Sequence, residues 1–460
     1  MFYLNADLSL LLDLYELRMA QSYFRHRLKA QATFDLFIRG LPKNRSYFLF
    51  AGLEDSLRYL KNLKFTQEGL DYLEGLGFDE DFLTYLGKLR FFGDVWAMPE
   101  GTVFFPGEPI IRITGSLIET QIVESFLLNT VNLSTMIATK ASRIVGAAQG
   151  KGVFDFSLRR THGVDAAIKA ARSSSIAGFR GTSNVLAAKL YGIQAVGTMA
   201  HSFVMSFGNE REAFRAFFET FPDKSILLVD TYDTRKGIEN AICVAQEFKT
   251  EGYFLKGIRL DSGNLLQLSK MARAMLDAQG LREVRIFASG DLDEYKIEQL
   301  LMHKAPIDDF GVGTKMGTSP DAPFLDVIYK IAEVTNAEGV FLPTMKLSEK
   351  KVTLPGRKQV FRVYDRRGFC QKDIIGLEKE NLGEPLLKRV MQAGEVIYAH
   401  RPLCEIRKAA LKHLSSLKRE LKCLRESCPY PVLISKGLKK MMEGLSKELE
   451  KRQTAPLKKS

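Results

Sequence analysis

The chain has 460 residues, more than one hydrophobic core usually serves, so two or more domains are expected. With 45% apolar and 26% charged residues it has the balance of a folded globular protein, which excludes a chain disordered throughout. The formal net charge of +12 is concentrated at one end: residues 401–460 hold 16 Lys and Arg against 6 Asp and Glu, leaving +2 for the first 400. A nucleic-acid-binding protein therefore rests on the tail alone, and the tail carries no interleaved aromatic residue beyond Tyr430.

The amino terminus has no basic n-region, Asp7 and Asp13 interrupt its leucines, and no apolar run approaches the ~18 residues of a membrane span. A cytoplasmic protein is expected. Cys243, Cys370, Cys404, Cys423 and Cys428 form no CxxC pair, which fits idle thiols in a reducing compartment. A zinc site from Cys404, His413, Cys423 and Cys428 is the alternative, although their spacing matches no usual finger.

Leu8 to Phe24 is apolar on most faces and predicts a helix buried in its own chain or against another. A strand over 32–39, a turn at 41–47, a helix over 53–63 and further helical patches to Leu89 follow. Short strands cut by Pro and Gly fill 91–116, and one or two helices fill 117–148. Seven β-like segments come next, at 153–158, 178–182, 195–200, 225–230, 257–262, 285–290 and 310–314, with helices beginning near Gly163, Ser183, Asn209, Thr234, Asn264, Asp293 and Asp321. Seven strand–helix units predict an α/β fold, a parallel β/α barrel closed or nearly so, with an open doubly wound sheet as the alternative. After 331 the chain returns to strands (339–347, 350–356, 358–365, 371–378), and from 401 a basic helical segment runs to 450 before a frayed end, TAPLKKS. The expected domains are 1–116 (α+β, completed by 332–400), 117–331 (the barrel) and 401–460 (basic and helical).

Parallel barrels gather the carboxyl ends of their strands on one rim, where their chemistry sits. The polar residues at those exits are Ser157 and Arg159, Thr182 and Ser183, His201, Asp230, Arg259 and Asp261, Ser289 with Gly290 and Asp291, and Gly313 with Thr314. His201 follows an apolar run and is followed by a hydroxyl. In FGVGTKMGTS, residues 310–319, glycines at 311, 313 and 317 let backbone N–H groups turn toward an anion, with a helix expected near Asp321. The spacing matches neither a P-loop nor a dinucleotide fingerprint and fits a phosphate monoester site, or a structural turn. The residues thus point to a barrel enzyme acting on a phosphorylated sugar, with Asp side chains available for hydroxyls or Mg²⁺.

The motifs LLLDLYELRMAQSYF, VFDFSLRR, FRGTSN, GTMAHSFV, LVDTYDT, IRLDSGN, ASGDLDEY and FGVGTKMGT, in that order from near Leu10 to about residue 400, resemble the nicotinate phosphoribosyltransferase family. Leu12 and Arg18 stand where that family's first motif has threonines, and the segment after 401 is the least family-like. The resemblance implies transfer of phosphoribose from phosphoribosyl pyrophosphate to nicotinate, with Mg²⁺, coupled ATP hydrolysis and a homodimer whose subunits share active sites. It implies a pyridine ring held between Phe156 and Tyr15, the latter donated by a second subunit, and a carboxylate met by Arg159 and Arg180. Arg259 and Asp261 would hold phosphate and ribose. Ser289, Gly290 and Asp291 would continue the ribose and Mg²⁺ side, with Asp261 and Asp291 as metal candidates. Gly311, Gly313 and Thr314 would take the 5′-phosphate. His201 matches the histidine that ATP phosphorylates in the family, with Asp230 orienting its ring. Nicotinamide-using relatives carry an aspartate where Ser183 stands, so the serine points to nicotinate. A nicotinamide or quinolinate phosphoribosyltransferase is the alternative within this class of barrel.

Overall fold

A computed structural model describes residues 7–347 and 353–454. They form two compact units, one from the described residues of Met1–Met136 and Phe324–Ser460, the other Ile137–Pro323. The boundary falls inside a long helix, Glu124–Ala147. Among the described residues no helix is long and apolar enough to cross a membrane.

The second unit is the parallel sheet. Its strands are Gly152–Asp155, Gly181–Thr182, Gln194–Ala195, Ile226–Leu228, Gly257–Leu260, Arg285–Ala288 and Asp309–Val312, numbered first to seventh below. The first pairs with both the second and the seventh, in parallel throughout, and from the seventh the pairing steps back in order to the fourth. Strand order is therefore that of a barrel, and the last-to-first pairing rules out an open doubly wound sheet. The ring is hydrogen-bonded everywhere except between the third and fourth strands. The third has only two residues, both exposed, because the expected strand AVGTMA continues as irregular chain from Val196 to Ala200. Ile258, Leu260, Ile286, Phe310 and Val312 are completely buried, which fits strands covered on both faces.

Six helices start where the sequence places them, and for five of them a side chain explains why. Asn184, Asn209, Asp233, Asn264 and Asp293 each accept a backbone N–H of the first turn, satisfying donors that a helix start leaves unpaired. No helix starts at Asp321. The last strand runs directly into a single short turn of helix, Thr314–Thr318.

The first unit carries an antiparallel sheet in the order Phe341–Pro343, Val327–Thr335, Gln31–Ile38, Pro109–Ser116, Asp94–Ala97, Lys388–Gln392, Glu395–Val396. Of the strands expected after residue 331 only the first joins it, as Phe341–Pro343; those expected at 358–365 and 371–378 pair with each other in a separate sheet, as Lys358–Tyr364 and Cys370–Leu377. The leading apolar segment is not one helix. A 3₁₀ turn at Leu8–Leu10 precedes the helix Leu14–Arg25, and Leu8, Leu11, Leu14 and Tyr15 lie exposed on this chain. Of the expected strand 350–356, residues 350–352 lie outside the described residues and 353–356 are irregular. The basic segment after 401 is not one helical stretch either. Helices Leu403–Ser415 and Lys436–Thr454 are separated by the strand Val432–Ile434, which pairs in parallel with Cys370–Leu377. Tyr430 anchors it, stacking on Phe105 at 3.6 Å and donating to Asp373, which is buried in an ion pair with Arg362. Most of TAPLKKS lies outside the described residues. His413 Nδ1 bonds the Gly101 carbonyl, and no cluster of metal-ligating side chains occurs among the described residues.

Candidate active site

The first strand ends on Asp155, a residue the motif reading passed over. Its carboxylate is buried; one oxygen accepts the Ser157 N–H at 2.8 Å and the other the Thr182 hydroxyl at 2.7 Å, while its carbonyl accepts the Ser183 N–H at 2.8 Å. Burial pushes this carboxyl above its usual range, and the hydrogen bonds to Ser157 and Thr182 oppose that. One side chain thus ties the loop bearing Phe156, Ser157 and Arg159 to the loop bearing Thr182 and Ser183. A buried polar residue immediately before Phe156 was the available signal.

Phe156 faces Phe287 with ring centroids 5.7 Å apart and planes 20° from parallel. The glycines of the last strand explain the space it has. A Cβ at Gly311 would lie 2.5 Å from the Phe156 ring, one at Gly313 2.8 Å from the Phe156 carbonyl oxygen, and one at Gly317 2.5 Å from the Ser157 Cβ. These three glycines admit the exit loop of the first strand. Gly311 sits buried inside the seventh strand rather than in a phosphate-binding turn, which corrects its assignment. Gly313 has φ −110°, so close approach and not a left-handed backbone requires it; Thr314 starts the short helix.

On the facing side, His201 is the first residue of the helix His201–Met205. Its Nδ1 bonds the Thr231 hydroxyl at 3.1 Å, across the open seam between the third and fourth strands, and its Nε2 lies 3.9 Å from Asp261. Asp230 does not orient the ring. Its Oδ2 accepts the N–H groups of Asp261 and Ser262 and the Ser262 hydroxyl, each at 2.8 Å, because the following turn exposes donors that a nearby carboxylate can collect. Thr231 has the role the sequence reading gave Asp230. Arg259 donates to Thr198 Oγ1 at 2.9 Å and to the Met199 carbonyl at 3.2 Å, and lies 3.8 Å from Asp261. Burial lowers its pKa, Asp261 and Asp230 oppose that, and the nearby Arg159 adds to it. Ser289 donates to Asp261. Gly290 has φ +92°, and a Cβ there would collide with the Asp261 carbonyl.

One assigned residue lies elsewhere. Arg180 donates to the Gly150 carbonyl at 2.8 Å, at the amino end of the sheet, away from the rim. A strand of two residues is so short that Arg180 falls at its entry and Ser183 at its exit. Tyr15 belongs to the other unit, about half exposed, its hydroxyl beside Glu124; burial and Glu124 together raise its pKa. Asp291 is at the rim but engaged, at 2.9 Å from Lys296 and 3.8 Å from Lys315, and the hydrogen bond from Lys296 holds its carboxyl below the usual range. Arg159 is exposed on the same loop as Phe156.

The rim therefore offers an aromatic slot with an arginine beside it, then a histidine, then an arginine–aspartate–serine cluster closed by a tight glycine turn. Flat aromatic, nucleophile and polyol–phosphate chemistry lie in sequence. Family models match three parts of the chain: the nicotinate phosphoribosyltransferase N-terminal domain at residues 10–132, the family itself at 152–339 and the C-terminal domain at 383–442. The last match reaches well into the basic segment, which we read as the least family-like, and carries the family past the residue near 400 where the motifs end. A nicotinate phosphoribosyltransferase of Mycobacterium tuberculosis is 46% identical over 93% of this chain and 91% of its own, and one of Bacillus subtilis is 40% identical over 93% of each. A crystal structure of human nicotinic acid phosphoribosyltransferase superposes with a TM-score of 0.84 at 29% identity, covering 94% of this chain and 99% of that one. The chain belongs to the nicotinate phosphoribosyltransferase family.

Proposed function

We propose that this enzyme joins nicotinate to the phosphoribosyl group of phosphoribosyl pyrophosphate, forming nicotinate mononucleotide and pyrophosphate. The observation that carries the reading is the neighbourhood of Phe156 and Arg159 to the cluster Arg259, Asp261, Ser289 and Gly290 on one rim. The pyridine nitrogen of nicotinate has a free lone pair, so no general base is needed. Bond breaking at the ribose leaves an electron-poor, oxocarbenium-like carbon, and fixed charges are what the protein can contribute. In this reading Phe156 stacks on the ring, with Tyr15 from a second subunit on its other face, and Arg159 meets the carboxylate. Asp261 and Ser289 hold ribose hydroxyls, Arg259 the departing pyrophosphate, and the Gly313–Thr314 turn the 5′-phosphate.

In this reading His201 is the phosphoryl acceptor. With Nδ1 bonded to Thr231, Nε2 is the ring nitrogen left facing the cluster. Coupled ATP hydrolysis through a phosphohistidine is proposed on that geometry and on the family resemblance. Mg²⁺ fits less well as a protein-held ion. Asp291 is engaged by lysines, Asp261 by Ser289, and no cluster of three metal-ligating side chains occurs among the described residues. Any Mg²⁺ in this reading comes with the pyrophosphate of the substrate.

Consumption of labelled nicotinate, with and without phosphoribosyl pyrophosphate and ATP, tests the reading. The expected product requires the pyrophosphate substrate and is stimulated by ATP. His201→Ala should keep the ATP-independent transfer and lose the stimulation. Equal turnover of nicotinamide would overturn the substrate assignment.

A further inference from the structure

The loops proposed to hold ribose and 5′-phosphate are tied together from behind by a residue with no place in the chemistry. Lys140, on the long helix Glu124–Ala147, is 2% exposed and lies 2.6 Å from Glu294 and 2.9 Å from Asp321. Glu294 is completely buried and opens the helix that follows the Ser289–Gly290–Asp291 loop. Asp321 lies in the turn beyond the short helix Thr314–Thr318, which Gly313 precedes; that turn is set by Ser319, whose φ is +42° and whose hydroxyl donates to the Ala322 carbonyl. Arg143, one turn along from Lys140, meets Glu294 at 2.9 Å, so two cations face two carboxylates in a neutral group. On the solvent side Lys315 faces Asp291 at 3.8 Å, a second and looser tie between the same two loops.

We infer that Lys140 is a positioning residue for phosphoribosyl pyrophosphate: it sets the spacing between the Ser289–Asp291 loop and the Gly313–Thr314 turn. Ribose and 5′-phosphate are covalently joined, so the two loops that hold them must stand at one separation, and a displacement near 1 Å can cost on the order of a hundredfold in rate. A buried ammonium shared by two carboxylates suits this role. Lys140 and Glu294 are both buried, so their separation would strand charge in a desolvated place, and the partly exposed Asp321 is held on the other side of the same fixed ammonium, so the spacing resists fluctuation. The inference rests on the ligand assignment proposed above.

Lys140→Met and Asp321→Asn test it, the second because Asp321 is partly exposed and its loss is more easily tolerated. Each should raise KM for phosphoribosyl pyrophosphate about tenfold or more, leave the affinity for nicotinate near wild type, and not add in the double variant. An Asp321→Asn protein with wild-type melting and unchanged KM for phosphoribosyl pyrophosphate would overturn the inference, as would equal weakening of both substrates. Arg259→Gln separates the two levels of the argument. If it raises that KM while Asp321→Asn does not, only the spacing role falls; if neither does, the ligand assignment has failed and the inference with it.

Discussion

Gly290 is the rim position least open to replacement, since its left-handed backbone and its approach to the Asp261 carbonyl both exclude a Cβ. Gly290→Ala should push the Ser289 loop off Asp261 and weaken phosphoribosyl pyrophosphate by tenfold or more while nicotinate still binds. Calorimetry with each substrate in turn checks this, and unchanged affinity for the sugar would separate Gly290 from its site. At Ser183 the expectation concerns specificity. An aspartate there would face the nicotinate carboxylate, a repulsion of about 4 kcal/mol at ~4 Å and an effective dielectric near 20. Ser183→Asp should lower kcat/KM for nicotinate by roughly two orders of magnitude and narrow its lead over nicotinamide, with Arg159 and solvent reducing the size but not the sign. An unchanged ratio of the two substrates would show that Ser183 does not face the ring substituent. Residue identities on the rim were legible because polar side chains at apolar strand ends stand out. Their partners were not: Asp230 and Thr231 are adjacent in the chain, and only the turn at Asp261–Ser262 decides which of them meets His201.

The helix Leu14–Arg25 carries a carboxyl that titrates within the physiological range. Glu16 is pushed from an ordinary 4.5 to about 7 by burial, with Glu124 and Asp13 adding to it and the Ser125 hydrogen bonds opposing. The folded chain therefore holds a proton there that the unfolded chain has released between about pH 4.5 and 7, so this group makes stability fall as pH rises through that window. Glu16→Gln should remove that part of the slope, appearing more stabilising at pH 8 than at pH 5 in urea melts. A difference from wild type that is the same at both pH values would refute the shifted carboxyl. Elements were the most legible level of this chain, since helix starts are written locally in residues such as Asn264 and Asp293. The failures were local as well. Asp321 looked like a helix start but sits in a turn, because the helix had already begun at Thr314, directly after the seventh strand.

At the scale of the whole molecule the proposed homodimer makes a distinct prediction. Tyr15→Ala removes a residue expected to serve the partner's site, whereas Arg259→Gln removes one from the chain's own barrel. Co-expressed, the two weak variants should recover about a quarter of wild-type activity, the statistical yield of one intact site in half the dimers. Activity no greater than the sum of the separate variants would place Tyr15 outside the site. The exposed Leu8, Leu11 and Leu14 beside Tyr15 fit a surface that a second chain covers.

While leaving a barrel and an open sheet both standing, the sequence by itself determined the number of parallel strands and the family. Those follow from local alternation, capping residues and motifs, which are properties of neighbours along the chain. Tertiary structure alone decided the open seam between the third and fourth strands, the turning of Arg180 to Gly150, the service of Gly311, Gly313 and Gly317 to Phe156 and Ser157, and the bridging by Lys140. Each depends on which atom arrives from a distant part of the chain. A glycine written as a flexible turn can equally be the space into which another segment packs, and only the packed partner distinguishes the two.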